Sequence, residues 1–211
     1  MKTRDRIVLK SLELFNEQGE RNVTTNHIAA HMNISTGNLY YHFSNKQEII
    51  LAIYELYEGE LLERFSPHYH QQENLALLKH YLDSIFTLMW KYRFFYANLP
   101  EILQRDSALH QRYMRTQKEL SRNLLSILDS FQNMDLVTFT DIQKSQLCVN
   151  LHMVAVSWIA YQSSMSLNIE ITQKVIYQGM LQMISIIKPF ATSLGKEQME
   201  LLEEGIQVML A

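Results

Sequence analysis

Between Asn33 and Phe43 the chain reads NISTGNLYYHF, and the residue types in it suit non-covalent recognition rather than bond chemistry. Thr36 and Asn38 carry short hydrogen-bonding side chains of the kind that read base edges, and Tyr41 carries a hydroxyl on a flat ring. Gly37 between them adds no bulk, so a helix backbone could approach a duplex closely. Tyr40, Tyr41 and His42 can donate to phosphate oxygens, which fixes register without reading sequence. Lys46 adds a cation.

Catalytic chemistry finds less to work with. The chain has no GxSxG, no Gly-rich phosphate loop and no cluster of metal-ligand residues. His27 and His31 stand four apart, the spacing of a paired metal site, but Ile28 follows His27 where an HExxH helix needs glutamate. The segment Pro67-His68-Tyr69-His70 reads as a solvated loop. Cys148 lies between Leu147 and Val149 with no basic neighbour to make it a thiolate. Neither a catalytic site, a metal nor a cofactor is expected.

The elements that would hold the recognition residues are helical. Ile7, Val8, Leu12, Leu14 and Phe15 recur at helical spacing from about Thr3 to Gln18, and Gly19 is a natural stop. Thr24 should cap a short helix, TNHIAAHM, with Ile28, Ala29 and Met32 inward. Asn33 tolerates a left-handed backbone and can make the turn. Ile34 plugs the corner and Ser35 caps a third helix, TGNLYYHF, anchored by Leu39 and Phe43. Of the adjacent Tyr40 and Tyr41, one should be buried and one exposed. Two short helices joined by such a turn form a helix-turn-helix, whose second helix presents its N-terminal residues to the major groove.

Composition sets the frame. Six glycines and three prolines in 211 residues fit an all-helical chain better than a sheet protein with many turns. A single cysteine excludes an intrachain disulfide and fits a reducing compartment. With no signal peptide and no uninterrupted apolar span, the expected location is the cytoplasm, with no membrane partner. Residues 1–46 hold six Lys and Arg against four Asp and Glu, a weaker basic bias than DNA-binding domains usually show. The motif, not the charge, carries the DNA reading.

Those residues resemble the TetR family of bacterial transcriptional regulators. The pattern runs Phe15-x-x-x-Gly19, then Thr24, Ile28 and Ala29, then Ile34, Ser35, Gly37, Leu39, Tyr40, His42, Phe43 and Lys46 at family spacing. The turn often reads Ala-Gly in the family and is Met32-Asn33 here. The resemblance implies an all-α chain. Residues 1–46 would be the helix-turn-helix domain, and residues 47–211 a helical domain for effector binding and dimerisation. It implies a homodimer on a palindromic operator, most often as a repressor, released by a small molecule. By motif position Thr25, Asn26, Thr36, Gly37, Asn38, Tyr40, Tyr41, His42 and Lys46 match DNA-contacting positions. An all-helical interaction adaptor is the alternative, and binding to a specific palindrome would separate the two.

Beyond the motif, helices are expected over Lys46–Phe65, Asn74–Tyr92, Pro100–Gln104, Ala108–Phe131, Asp141–Met165, Thr172–Thr192 and Lys196–Leu210. Aromatics concentrated in the middle helices, Tyr81, Phe86, Trp90, Phe94 and Tyr96 with Tyr113 and Trp158, could line a cavity for a hydrophobic effector or be plain core. Arg112, Arg115, Lys118 and Arg122 fall near one helix face, either for an acidic ligand or as a solvated face. Two stripes, one through Leu147, Leu151, Val154, Trp158, Tyr161 and Met165, the other through Ile176, Met180, Met183, Ile187 and Phe190 with Gly179 beside it, suit either a dimer seam or intrachain core.

Overall fold

The computed structural model describes residues 1–67, 74–165 and 170–210, so His68, Tyr69 and His70 of the expected loop lie outside the described residues. Among the described residues the chain is helical throughout, with one isolated bridge, Val137 to Ala191, in place of any strand. In order the helices are α1 Thr3–Gln18, α2 Thr25–His31, α3 Thr36–His42, α4 Lys46–Arg64, α5 Asn74–Lys91, α6 Arg93–Arg105, α7 Ser107–Asn133, α8 Asp141–Met165, α9 Gln173–Ile187 and α10 Ser193–Leu210.

The first three helices form a small head around Ile7, Phe15, Val23, Ile28, Leu39 and Phe43, all buried. Gly19 ends α1 at a φ of 78°, its N–H donating to the Phe15 carbonyl, a backbone region where a side chain would be strained. Thr24 Oγ1 accepts from the His27 N–H and caps α2, and Ser35 Oγ accepts from the Asn38 N–H and caps α3. Asn33 takes a φ of 54° and so makes the turn that a glycine would otherwise make. Asn45 then caps α4 through the Glu48 N–H.

From α4 onward the helices surround an internal cavity. The segment expected to be helical only from Pro100 is a longer element, α6, beginning at Arg93 and bent at Asn98, whose φ of −133° breaks the helical path. Pro100 sits in the first turn after the bend, where its missing N–H costs least. The ninth helix ends at Ile187, not Thr192, because Lys188–Phe190 tightens into a single 3₁₀ turn around Pro189. The last helix starts at Ser193 and packs on α9 and α5. Gly195 lets α10 press directly on the loop after α7: a Cβ there would sit 1.8 Å from the Leu136 carbonyl oxygen.

Candidate nucleic-acid interface and internal cavity

The N-terminal turn of α3 is turned outward while its other face is sunk in the head. Thr36, Gly37, Asn38, Tyr40 and Tyr41 are exposed; Leu39 beneath them is fully buried. The expectation that one of the two tyrosines would be buried is corrected: Tyr40 is 49% and Tyr41 85% exposed. Leu39 and Phe43, four apart, already fill the inner face, so neither ring is needed there. Tyr40 is tethered, its hydroxyl 3.0 Å from Thr25 Oγ1, which ties α3 to the start of α2. Tyr41 stands free against the edge of His42. Among the described residues the side chains of Thr36, Asn38 and Tyr41 have no hydrogen-bond partner within the chain. Asn26, also exposed, flanks them on α2.

Lys46 is placed differently from its expected role. Its ammonium is folded inward, 2.7 Å from Glu20 Oε1 and donating to the carbonyls of Glu20 and Val23 at 2.9 and 3.1 Å. The buried carboxylate of Glu20 draws it there, which no sequence pattern disclosed. His27 is likewise occupied in capping, its Nδ1 lying 3.2 Å from the Asn22 carbonyl. Among the described residues no three His, Cys, Asp or Glu gather to hold a metal. The Cys148 thiol is buried, and burial pushes its pKa up.

A cavity of about 140 Å³ lies between α4 and the later helices. Its wall includes Tyr57 and Leu61 of α4, Tyr81 and Leu82 of α5, Tyr96 of α6, Gln117 and Leu124 of α7, Leu151 and His152 of α8, Met183 and Ile187 of α9, and Met199 and Leu202 of α10. The Tyr57 and Tyr96 hydroxyls lie 3.1 Å apart, and burial pushes both well above the usual phenol range, so they stay protonated. Burial holds the His152 imidazole below its ordinary range and favours the neutral ring. Both polar atoms of the Gln117 amide are buried without a partner.

Of the aromatics expected around a cavity, Tyr81 and Tyr96 line it and the other five do not. Phe86 stacks on Tyr177 at 4.5 Å, Trp90 packs under the Arg93 guanidinium, and Phe94 joins the head through Phe15. Tyr113 lies beside Tyr54, and Trp158 donates its indole N–H to the Val175 carbonyl at 2.6 Å. Their positions on helices outside the cavity face, invisible without the helix orientations, account for the difference. Arg112 of the basic face is spent on α4, at 2.5 Å from Glu55 and 2.6 Å from Glu58, while Arg115, Lys118 and Arg122 are exposed.

The two apolar stripes are also redistributed. Ile176, Met180 and Met183 are buried inside the protomer, Gly179 is covered by Trp158, and Leu151, Met183 and Ile187 face the cavity. Of the two stripes only Tyr161 and Met165, at the end of α8, are openly exposed. Within one chain α9 buries Ile176, Met180 and Met183, while Leu151, Val154, Trp158 and Ile187 stay half-buried. The large apolar residues openly exposed on α8 are Ile142, Val149, Met153, Tyr161 and Met165, with Val149 and Met153, and Tyr161 and Met165, each one turn apart.

Comparison with known proteins agrees along the whole chain. Residues 7–53 match the model for bacterial regulatory proteins of the tetR family, and residues 56–199 match a model described as a bacterial transcriptional repressor. No curated protein matches. A crystal structure of a TetR-family transcriptional regulator from Marinobacter aquaeolei is 35% identical, with a TM-score of 0.86 over 98% of this chain and 99% of that one. The fold is shared by the ketosteroid transcriptional regulator KstR2 of Mycobacterium tuberculosis, 13% identical, TM-score 0.65, over 91% and 96% of the two chains. It is shared too by a putative regulator from Saccharomonospora viridis in complex with choline, 15% identical, TM-score 0.66, over 86% and 95%.

Proposed function

We propose, from the premise that this chain belongs to the TetR family of bacterial transcriptional regulators, that residues 1–46 read operator DNA and residues 47–211 bind a small effector and pair two chains. The chain is a DNA-binding transcriptional regulator. Its finer assignment is a cytoplasmic repressor that sits on a palindromic operator as a homodimer, with no enzymatic step. Among the described residues no helix is long and apolar enough to cross a membrane.

One observation carries the DNA assignment: Thr36 and Asn38 at the start of α3 and Tyr41 near its end are exposed, their side chains without a hydrogen-bond partner among the described residues. Idle donors and acceptors beside a glycine suit a surface that meets base edges. In a dimer the two α3 helices would enter successive major grooves about one DNA turn, ~34 Å, apart. Tyr40, His42, Thr25 and Asn26 would touch phosphates. The partner surface that best fits a second copy is formed by the exposed apolar residues on α8, because large apolar patches on a protomer mark interfaces.

The effector site is the cavity. It lies between α4, whose first turn adjoins the head, and the later helices, α8 with its exposed apolar residues among them. A ligand that expands the cavity would push on Tyr57 and Leu61, pivot α4 and change the spacing of the two heads. That coupling is reciprocal, so operator DNA must weaken the ligand by the same factor as ligand weakens DNA.

The test is selection of bound sequences from a random duplex pool with wild type and with Asn38→Ala/Tyr41→Ala. An enriched palindrome lost by the double variant is the expected result. No enrichment from a folded, dimeric protein would turn the assignment toward a protein-interaction adaptor.

A further inference from the structure

We propose that the cavity takes a compact, uncharged, mainly apolar molecule bearing one hydrogen-bonding head, and that Gln117 reads that head. The inference rests on the effector-cavity reading above and adds the chemical class of the ligand. Three observations carry it. The volume, about 140 Å³, is close to that of apolar cavities that accept a single benzene-sized molecule. The wall is carbon almost throughout, with the rings of Tyr57, Phe65, Tyr81, Tyr96 and Phe131 offering edges and faces to a flat body.

The third observation is Gln117. Its amide oxygen and nitrogen are both buried and neither has a hydrogen-bond partner, and among the described residues it is the one side chain of the cavity wall in that state. The Tyr57 and Tyr96 hydroxyls, by contrast, already face each other. A carboxamide side chain has both donor and acceptor capacity, so the complementary head is one that donates and accepts together: a hydroxyl or a primary carboxamide. His152 is a second polar group on the same wall.

Charge is excluded by what the wall lacks. None of the described residues lining the cavity is Lys, Arg, Asp or Glu. A carboxylate or ammonium would lose its water and meet no counter-charge, a penalty that a neutral head escapes. Of the basic residues on α7, Arg112, Arg115, Lys118 and Arg122, none lines the cavity, and Arg112 is committed to Glu55 and Glu58 of α4.

The experiment is calorimetric titration of the full chain, without DNA and at neutral pH, with five molecules of one size: benzyl alcohol, benzamide, toluene, benzoate and benzylamine. The alcohol and the amide should bind on the order of tenfold more tightly than toluene, the fold-change one satisfied buried hydrogen bond supplies. They should also bind at least that much more tightly than either ion. In Gln117→Leu the advantage over toluene should vanish while toluene still binds, which also certifies that the variant is folded. Benzoate or benzylamine binding as well as the alcohol would overturn the proposal. So would an undiminished alcohol advantage in Gln117→Leu, or no binding by any probe. Operator affinity is measured separately. Head-selective binding with unchanged operator affinity would keep the ligand class and remove the release mechanism. Operator binding by a protein whose cavity takes no probe would do the reverse.

Discussion

Arg105 Nη2 lies 2.7 Å from Glu20 Oε2, joining the C-terminal end of α6 to the turn that follows α1. The same carboxylate meets Lys46 at the start of α4, and Arg21 pairs with Glu101 alongside. Glu20 is thus a buried anion between two cations from two different helices, and its side chain has no exposure at all. It fastens the DNA-reading head to both α4 and α6, the two helices whose tyrosines meet across the cavity wall. Burial pushes the Glu20 pKa up, but the hydrogen bonds and charges of Lys46 and Arg105 outweigh it and hold the group below its ordinary value.

Glu20→Gln should therefore cost about 2 kcal/mol, less than a fully buried pair would, since Lys46 keeps two backbone carbonyls and Arg105 is 37% exposed. Thermal melts of the two proteins measure it. The pH dependence has a definite sign. A lowered folded pKa means the unfolded chain binds more protons, so this contribution is fully present above the ordinary glutamate value of 4.5 and fades as pH falls through the folded pKa. The wild-type advantage over Glu20→Gln should shrink on acidification through that window. A gap that stays constant would mean the carboxylate's charge is not what holds the head.

Two glycines make opposite predictions under the same substitution. Gly195→Ala would drive a Cβ to 1.8 Å from the Leu136 oxygen, a backbone atom that cannot swing aside. It should lose at least about 3 kcal/mol as an overpacked contact. Gly59, inside α4, has nothing within 4 Å of a built Cβ. Gly59→Ala should gain about 1 kcal/mol from helix propensity alone. Because a stiffer α4 transmits motion differently, operator release should be assayed on the same sample.

The head was legible in the sequence almost residue by residue because its determinants are local. Thr24 and Ser35 cap the helices they precede, Asn33 makes the turn, and Leu39 and Phe43 face inward by their spacing. The later helices were found as elements, yet their faces were not. A heptad-like row such as Ile176, Met180 and Met183 suits an intrachain neighbour as well as a partner, and it is buried within the chain, where α9 packs against α5, α8 and α10. Glu20 and Gln117 gave no sequence signal, because their roles depend on partners, or the want of one, far along the chain.

The proposed dimer surface on α8 rests on that redistribution. Met153 is 57% exposed on α8, so Met153→Glu should leave the protomer folded while shifting the dimer toward monomer in sedimentation. Met180, only 2% exposed, is the control: Met180→Glu should unfold the chain, because it buries an unpaired charge. A Met153→Glu protein that sediments as a dimer would remove the exposed apolar residues of α8 from the interface.

Lys46 and Tyr41 separate stability from recognition. Both match DNA-contacting positions of the family pattern, but the Lys46 ammonium is held by Glu20 and two carbonyls, whereas Tyr41 is 85% exposed. A lysine that neutralises a phosphate releases counter-ions, and its loss lowers the salt slope of binding by roughly one unit. Lys46→Met should leave that slope nearly unchanged while lowering the melting temperature, since its removal unpairs one side of Glu20. Tyr41→Phe should do the opposite: the fold is untouched, and operator affinity falls by about 1 kcal/mol for one lost hydrogen bond. Should Lys46→Met flatten the salt dependence by a full unit, the side chain must leave Glu20 when DNA arrives. The clasp between head and α4 would then open on operator binding, and Glu20 would be the group that DNA and effector compete to rearrange.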